Sequence, residues 1–340
     1  MRRALVTGGW AWVGFAAACV DAPRLAGPLA VRTQSPAQLP VLHRPPAPAT
    51  VLRAGETALR ADAAYTSLWL TGTGSQDRRF TMDGEYLRAA LTLRTGLGRD
   101  LELALELPFA HTSGGFLDGF VIDYHDVFGL PDQNRDREPQ DLFEIEASRG
   151  GQTLWQVSAD GFELLDVPLW LTWQLAEPAR GPGVAVRAGL ELPTGDGARG
   201  YGNDEIDLSF GVVLEHHVLG CGWFGHVQHT FAGTPDRSRA AGFSFADVTS
   251  AGLGVELPLD TGVAGLLQFE WETSTLRPLG IAVTERDQVL LWAGLRIDAG
   301  SGWNVEVGFG EDLQGLVSPD FTAWLAVGWQ PGGASRAALP

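Results

Sequence analysis

Leu101 to Phe109 reads LELALELPF. Leu101, Leu103, Leu105, Leu107 and Phe109 fall on one side of an extended chain, and Glu102, Ala104 and Glu106 on the other. That period of two specifies a strand with one apolar and one polar face. The preceding run repeats it: Leu87, Ala89, Leu91 and Leu93 oppose Tyr86, Arg88, Thr92 and Arg94. Further copies lie at Val184 to Leu192, Ile206 to Glu215 and Gln288 to Ile297. Roughly twelve such strands fit between Glu56 and Trp329, most of about nine residues or more, the length a tilted membrane-crossing strand needs.

Alternation alone does not separate a membrane barrel from a soluble sandwich. The connections do. Gly96 to Asp100, Glu177 to Gly183, Gly220 to Gly222, Asp260 to Gly262 and Ala299 to Gly302 read as short turns. Between them fall longer segments: Gly72 to Gly84, Ala110 to Gly161, Gly195 to Asn203, Ala232 to Ser244, Ser274 to Arg286 and Asp312 to Asp320. Strict alternation of short and long predicts an all-β, transmembrane up-and-down antiparallel barrel, with periplasmic turns and extracellular loops. Closure also removes the edges that so apolar a sheet would expose. Trp69, Trp173, Trp223, Trp271, Trp303 and Trp329 near strand ends suit aromatic girdles. At the first short turn, a loop over Leu97 to Arg99 is expected to set Arg94 opposite Glu102 inside the barrel.

The 340 residues carry a formal net charge of −17, and arginine supplies all the positive side-chain charge apart from histidine. The acidity argues against a nucleic-acid partner. The start, MRRALVTGGWAWVGFAAAC, has a basic n-region and an apolar stretch of secretory-signal size, so residues 1–18 are expected to be a signal peptide. Cys19 follows Ala16-Ala17-Ala18 and is a lipidation candidate. Residues 19–54, rich in Pro and Ala, read as an extended periplasmic linker outside the packed core. Residues 55–330 form the barrel and 331–340 a tail. Two cysteines leave no disulfide framework, and Cys221 reads as incidental.

The polar faces carry Arg60, Arg88, Arg94, Arg187 and Arg296. Against them stand Asp62, Glu102, Glu106, Asp166, Glu191, Asp207, Glu215, Glu256, Glu270, Glu272 and Glu306. The excess of acids predicts a lumen that favours cations, or one filled by Arg–carboxylate pairs.

The longest loop opens on HTSGGFLDGFVIDYHDVFGLP, His111 to Pro131. Phe116, Phe120, Tyr124 and Phe128 recur every four residues and predict a short amphipathic helix over Phe116 to Phe128. Asp118, His125 and Asp126 occupy the other face; His111, Ser113, Gly114 and Gly115 lead in, and Arg135 follows. Three readings stay open: an interfacial helix, a plug or lid at the mouth, or a cation site at Asp118, His125, Asp126 and His111. The last lacks converging ligands, so no metal and no cofactor is expected.

This stretch, with Arg135 and Arg137, resembles the signature of an uncharacterised bacterial family, a domain of unknown function regarded as an outer-membrane barrel. Leu190 to Val212, LELPTGDGARGYGNDEIDLSFGV, resembles a motif of transporter-like outer-membrane barrels. The resemblance implies a bacterial outer-membrane location, with membrane lipid and the barrel-assembly machinery as partners. It implies no cargo. Phe321 to Trp329 is similar to the final strand that the assembly machinery reads, although a tail follows it here.

The expected function is a plugged or gated pore for a small solute. The alternative is a structural or adhesive barrel that binds a partner through its loops. An enzyme acting on lipid would need a base such as His216, His217, His226 or His229 beside an outward serine, and no serine lies at matching height. No enzyme is therefore expected.

Overall fold

The computed structural model describes residues 25–128, 139, 141–159, 161–178, 181–314, 319 and 321–331. Its strands are β1 (Thr57–Gly74), β2 (Arg78–Gly98), β3 (Leu101–Ser113), β4 (Glu144–Arg149), β5 (Gln152–Val157), β6 (Glu163–Leu164), β7 (Val167–Ala176), β8 (Gly183–Leu192), β9 (Asp207–Val218), β10 (Cys221–Phe231), β11 (Val248–Asp260), β12 (Val263–Glu272), β13 (Gln288–Gly300), β14 (Trp303–Asp312) and β15 (Phe321–Trp329). Two short helices, α1 (Asp118–Phe128) and α2 (Asp236–Ala240), lie in connections.

Twelve strands close an antiparallel barrel. β1, β2, β3 and β7 through β15 each pair with the next, and β1 pairs back with β15 from Leu59↔Trp329 to Ser67↔Phe321. The period of two turns alternate residues inward. Along β9, Leu208, Phe210, Val212 and Leu214 are exposed on the outer wall while Asp207, Ser209 and Glu215 are buried inside. The same holds around the ring, so an apolar belt encircles a polar interior.

The two rims differ as expected from the loop lengths, with corrections. Gly72 to Gly84 is not a loop: β1 and β2 run on as a hairpin that turns at residues 75–77, above the belt. β4 pairs with this extension and β5 with β4, so Ala110 to Gly161 holds a second hairpin as well as α1. Gly72, Gly74 and Gly84 suggested chain breaks, but strands tolerate glycine at close approaches. Trp69 is buried, so it belongs to no girdle, whereas Trp173, Trp223 and Trp303 are exposed at the short-turn rim.

The first short turn is also corrected. Arg99 and Asp100, both at positive φ, make a two-residue turn, and the facing mismatch is absorbed by a bulge between Gly96 and Gly98. Glu102 therefore registers with Gly96, and Arg94 with Ala104. Arg94 still reaches Glu102 diagonally through two bonds of 2.8 and 2.7 Å.

Candidate functional site: the occupied lumen

Residues 25–54 are not an extended linker. They run up the inside of the barrel, turn at Ser35 to Val41, and run back to enter β1. Leu29, Val31, Leu39, Val41, Leu42 and Leu52 are all buried. The turn closes through Gln38 N and Leu39 N donating to Ser35 O. Arg32 ties the two legs by donating to the carbonyls of Gln38 and Val41. Proline and alanine suit such a segment: it forms no ladder of its own, and it leaves backbone groups free for the wall.

The wall answers with carboxylates. Glu256 accepts from Ala26 N and Gly27 N, both at 2.9 Å. Asp207 accepts from Leu42 N at 2.8 Å, Glu215 from Thr50 N and Oγ1 at 3.0 Å, and Glu102 from Leu52 N at 3.0 Å. Glu272 takes the amide of Gln38 and lies 2.7 Å from His43 Nδ1. Five of the eleven inward acids thus hold the hairpin, and the acid excess read from the sequence is consumed by it. Charge-assisted bonds of this kind are among the stronger ones in a dry interior.

The remaining charges form a chain of ion pairs across the wall. Glu106 meets Arg88; Arg88 lies 3.5 Å from Asp62, and Asp62 3.6 Å from Arg60. Arg60 reaches Glu306 at 2.8 Å, Glu306 reaches Arg296 at 2.6 Å, and Arg296 reaches Glu256 at 2.9 Å. Arg296 also donates to the carbonyls of Gly27 and Pro28, which grips the first leg from both sides. A cavity of about 200 Å³ remains between the hairpin and this wall, bordered by Arg44, Arg60, Arg88, Arg94 and Glu106.

Among the described residues, the long-loop rim is covered by a packed apolar cluster. Leu39 and Val41 at the hairpin tip pack under Phe80, Met82, Tyr86, Trp155, Tyr201, Phe245, Leu276 and Ile281. The Leu190 to Val212 motif builds part of this cover. Asp166, just before β7, accepts from Gly195 N and Asn203 N at 2.8 Å, and Asn203 Nδ2 donates to Asp207. Burial pushes the Asp166 carboxyl up to about 6, while the Gly195 and Asn203 amides hold it down.

Helix α1 lies on the outer wall and does not enter the mouth. Phe116 stacks on Tyr65 of β1 at 5.7 Å, and Phe120 meets Phe321 of β15 edge-on at 5.9 Å. Both rings face outward and remain exposed, while Val121 is buried. Glu85, buried on β2, accepts from Phe116 N at 2.7 Å, from Leu117 N and from the Tyr65 hydroxyl. A carboxylate here answers the free N–H groups and positive end of a helix N-terminus. Gly115 is required: its φ is +81°, and a Cβ would overlap the Glu85 carboxylate.

Of the residues singled out in the sequence, Arg60, Arg88, Arg94, Glu102, Glu106, Arg187, Glu191, Asp207, Glu215, Glu270, Glu272, Arg296 and Glu306 lie on the inner wall. His111 and Ser113 lie on β3, where His111 stacks on Phe162 at 6.1 Å. Gly114, Gly115, Phe116 and Phe120 lead into or lie on α1. The side chains of Asp118, Tyr124, His125, Asp126 and Phe128, and all of Arg135 and Cys19, lie outside the described residues, as do the signal segment and the tail from 332. Sequence reasoning missed Arg32, Gln38, His43, Arg44 and Glu85. The signal was present in the surplus of inward acids and in the basic side chains Arg32, His43 and Arg44 within a Pro/Ala segment.

One solved structure shares this fold. The COG4313 outer membrane channel from Pseudomonas putida F1 is 12% identical, with 85% of this chain and 100% of that one covered at a TM-score of 0.53. The translocator domain of the autotransporter NalP from Neisseria meningitidis is 11% identical over 82% and 89%, at 0.42. Salmonella typhi OmpF in complex with daunomycin is 11% identical over 82% and 98%, at 0.33. No curated protein matches. Residues 11–330 match the family described as "Protein of unknown function (DUF3187)", and the chain belongs to that family.

Proposed function

We propose that this protein is a bacterial outer-membrane channel for a small solute, held shut by its own N-terminal hairpin. The observation that carries the reading is residues 25–54, which fill the lumen and have both ends at the short-turn rim. The apolar belt fits the hydrocarbon layer, because Leu91, Phe210, Val227 and Leu253 on its surface are more than half exposed. The short turns then face the periplasm and the packed cap faces outward. A plug whose ends both emerge on the periplasmic side can leave on that side without opening the barrel. Its departure frees Glu102, Asp207, Glu215, Glu256 and Glu272, so the open lumen prefers cations.

The test is single-channel conductance of the refolded protein beside a variant lacking residues 25–52. The intact protein is expected to be silent or to open rarely, and the variant to conduct steadily with cation preference. If neither conducts, although both show the heat-dependent gel shift of a folded barrel, the channel reading is wrong. A barrel that works through its outer loops then takes its place.

A further inference from the structure

We infer that the plugged lumen carries a binding site for a small anion, built jointly by Arg187 and Arg94 of the wall and Arg44 of the hairpin. The inference rests on the hairpin being seated, not on the barrel conducting.

The lumen as a whole is rich in acids, but they are unevenly spent. Arg187 on β8 is 4% exposed, and its Nε and Nη2 are buried with no hydrogen-bond partner among the described residues. Its one bond is from Nη1 to the Pro45 carbonyl at 3.4 Å, which is long and brings no charge. The charges acting on it are those of Arg44, Arg94 and Glu102. Glu102 is already taken twice by Arg94 and once by Leu52 N, and Arg44 lies 3.9 Å from it. Arg44 spends Nη1 on the Thr172 hydroxyl at 2.7 Å and sits over the Trp170 ring at 5.4 Å. Three guanidinium groups therefore share one carboxylate.

A buried charge without a partner is strongly destabilising, and a guanidinium cannot discharge itself by losing a proton. The other wall arginines, Arg60, Arg88, Arg94 and Arg296, each pair with an acid, so on the wall the deficit is local to Arg187. The group that resolves it is an anion with oxygen acceptors that match free guanidinium N–H groups: a phosphate or a carboxylate. Space lies beside Arg44 and Arg94, which border the 200 Å³ cavity with Trp170; Arg187 stands behind this lining, bonded to the Pro45 carbonyl next to Arg44. Because Arg44 belongs to the hairpin, such an anion is bound only while the hairpin is seated. Binding therefore favours the plugged state.

The test is thermal unfolding of the refolded chain at fixed ionic strength, with chloride replaced stepwise by inorganic phosphate or by benzoate. The wild type should show a saturable rise in Tm of several degrees, and Arg187→Met should show none. Arg187→Lys keeps the charge but loses the fork, so it should need a higher anion concentration for the same rise. A response to benzoate alone assigns the site to the carboxylate of an organic solute. A response to phosphate as well assigns it to free inorganic anions. An equal response in wild type and both variants, or none in any, overturns the inference. The channel reading is unaffected by either result, because conductance of the truncated barrel tests it separately.

Discussion

Glu256→Gln should loosen the first leg of the hairpin. The carboxylate accepts two backbone N–H groups at 2.9 Å, from Ala26 and Gly27, and pairs with Arg296. A glutamine has one acceptor oxygen and no charge. Both N–H groups share Oε2, so a glutamine oxygen in its place keeps them only as two neutral bonds, and its amide NH2 then meets Arg296 Nη1 donor to donor, while Arg296 keeps Glu306. A charge-assisted bond contributes about 1.5–3 kcal/mol and a neutral one about 1, so the loss is roughly 2 kcal/mol. If that sum acts on the seating equilibrium, the unseated fraction rises about 30-fold. The assay places a cysteine at Leu29, which is fully buried against Val31, Leu266, Trp292 and Trp324. The rate of labelling by a bulky maleimide is then compared in L29C and L29C/E256Q, with Cys19 and Cys221 replaced by serine in both. A rate that changes less than about threefold would refute the assignment of Glu256 as an anchor, since it corresponds to under about 0.7 kcal/mol.

Three other outcomes follow from the same geometry. Gly115→Ala should detach α1 from the outer wall, because φ of +81° and the Glu85 carboxylate leave no room for a Cβ; faster proteolysis within the α1 loop, with an unchanged gel shift, is the readout. Leu253, 69% exposed on the apolar belt, should cost about 2–4 kcal/mol of stability in lipid vesicles when changed to Arg. A cost near zero would place that wall in water. Asp166 has a folded-state pKa raised to about 6 by burial. A raised value means the folded chain binds the proton first, so its contribution grows as pH falls from about 6 to about 4 and is flat above. The Tm of the wild type relative to Asp166→Asn should rise across that window; a difference without slope refutes it.

Much of the barrel was legible because its signal is local. LELALELPF shows both faces within nine residues, and the alternation of short and long connections sets the topology. The inward acids and arginines could be named from the same alternation. The hairpin could not be found that way. Its segment has no period, and each of its partners lies far along the chain: Leu52 N reaches Glu102, Leu42 N reaches Asp207, and Gly27 N reaches Glu256. Proline-rich composition describes both a solvated linker and a chain whose backbone is satisfied from outside. The β1–β2 extension was hidden by Gly72, Gly74 and Gly84, and the diagonal of Arg94 and Glu102 by a bulge that leaves no mark in hydrophobic pattern. The placement of α1 was set by Glu85, which lies 31 residues before Phe116.

The long reach of the hairpin's contacts also fixes when it can form. Arg296 and Gly27 are separated by 269 positions, and Thr275 and Ala37 by 238. The hairpin is made before any strand, yet the surfaces it needs exist only once β11 to β14 have arrived. Loops of that length are slow to close, and non-local contacts are rewarded late in folding. The first of the described segments is thus among the last to gain its native surroundings. Until then its apolar residues must be kept from other surfaces. A barrel that closed β1 against β15 too soon would enclose an empty lumen, with its buried acids unpaired. Seating of residues 25–54 and closure of the last seam are therefore expected to occur as one kinetic event.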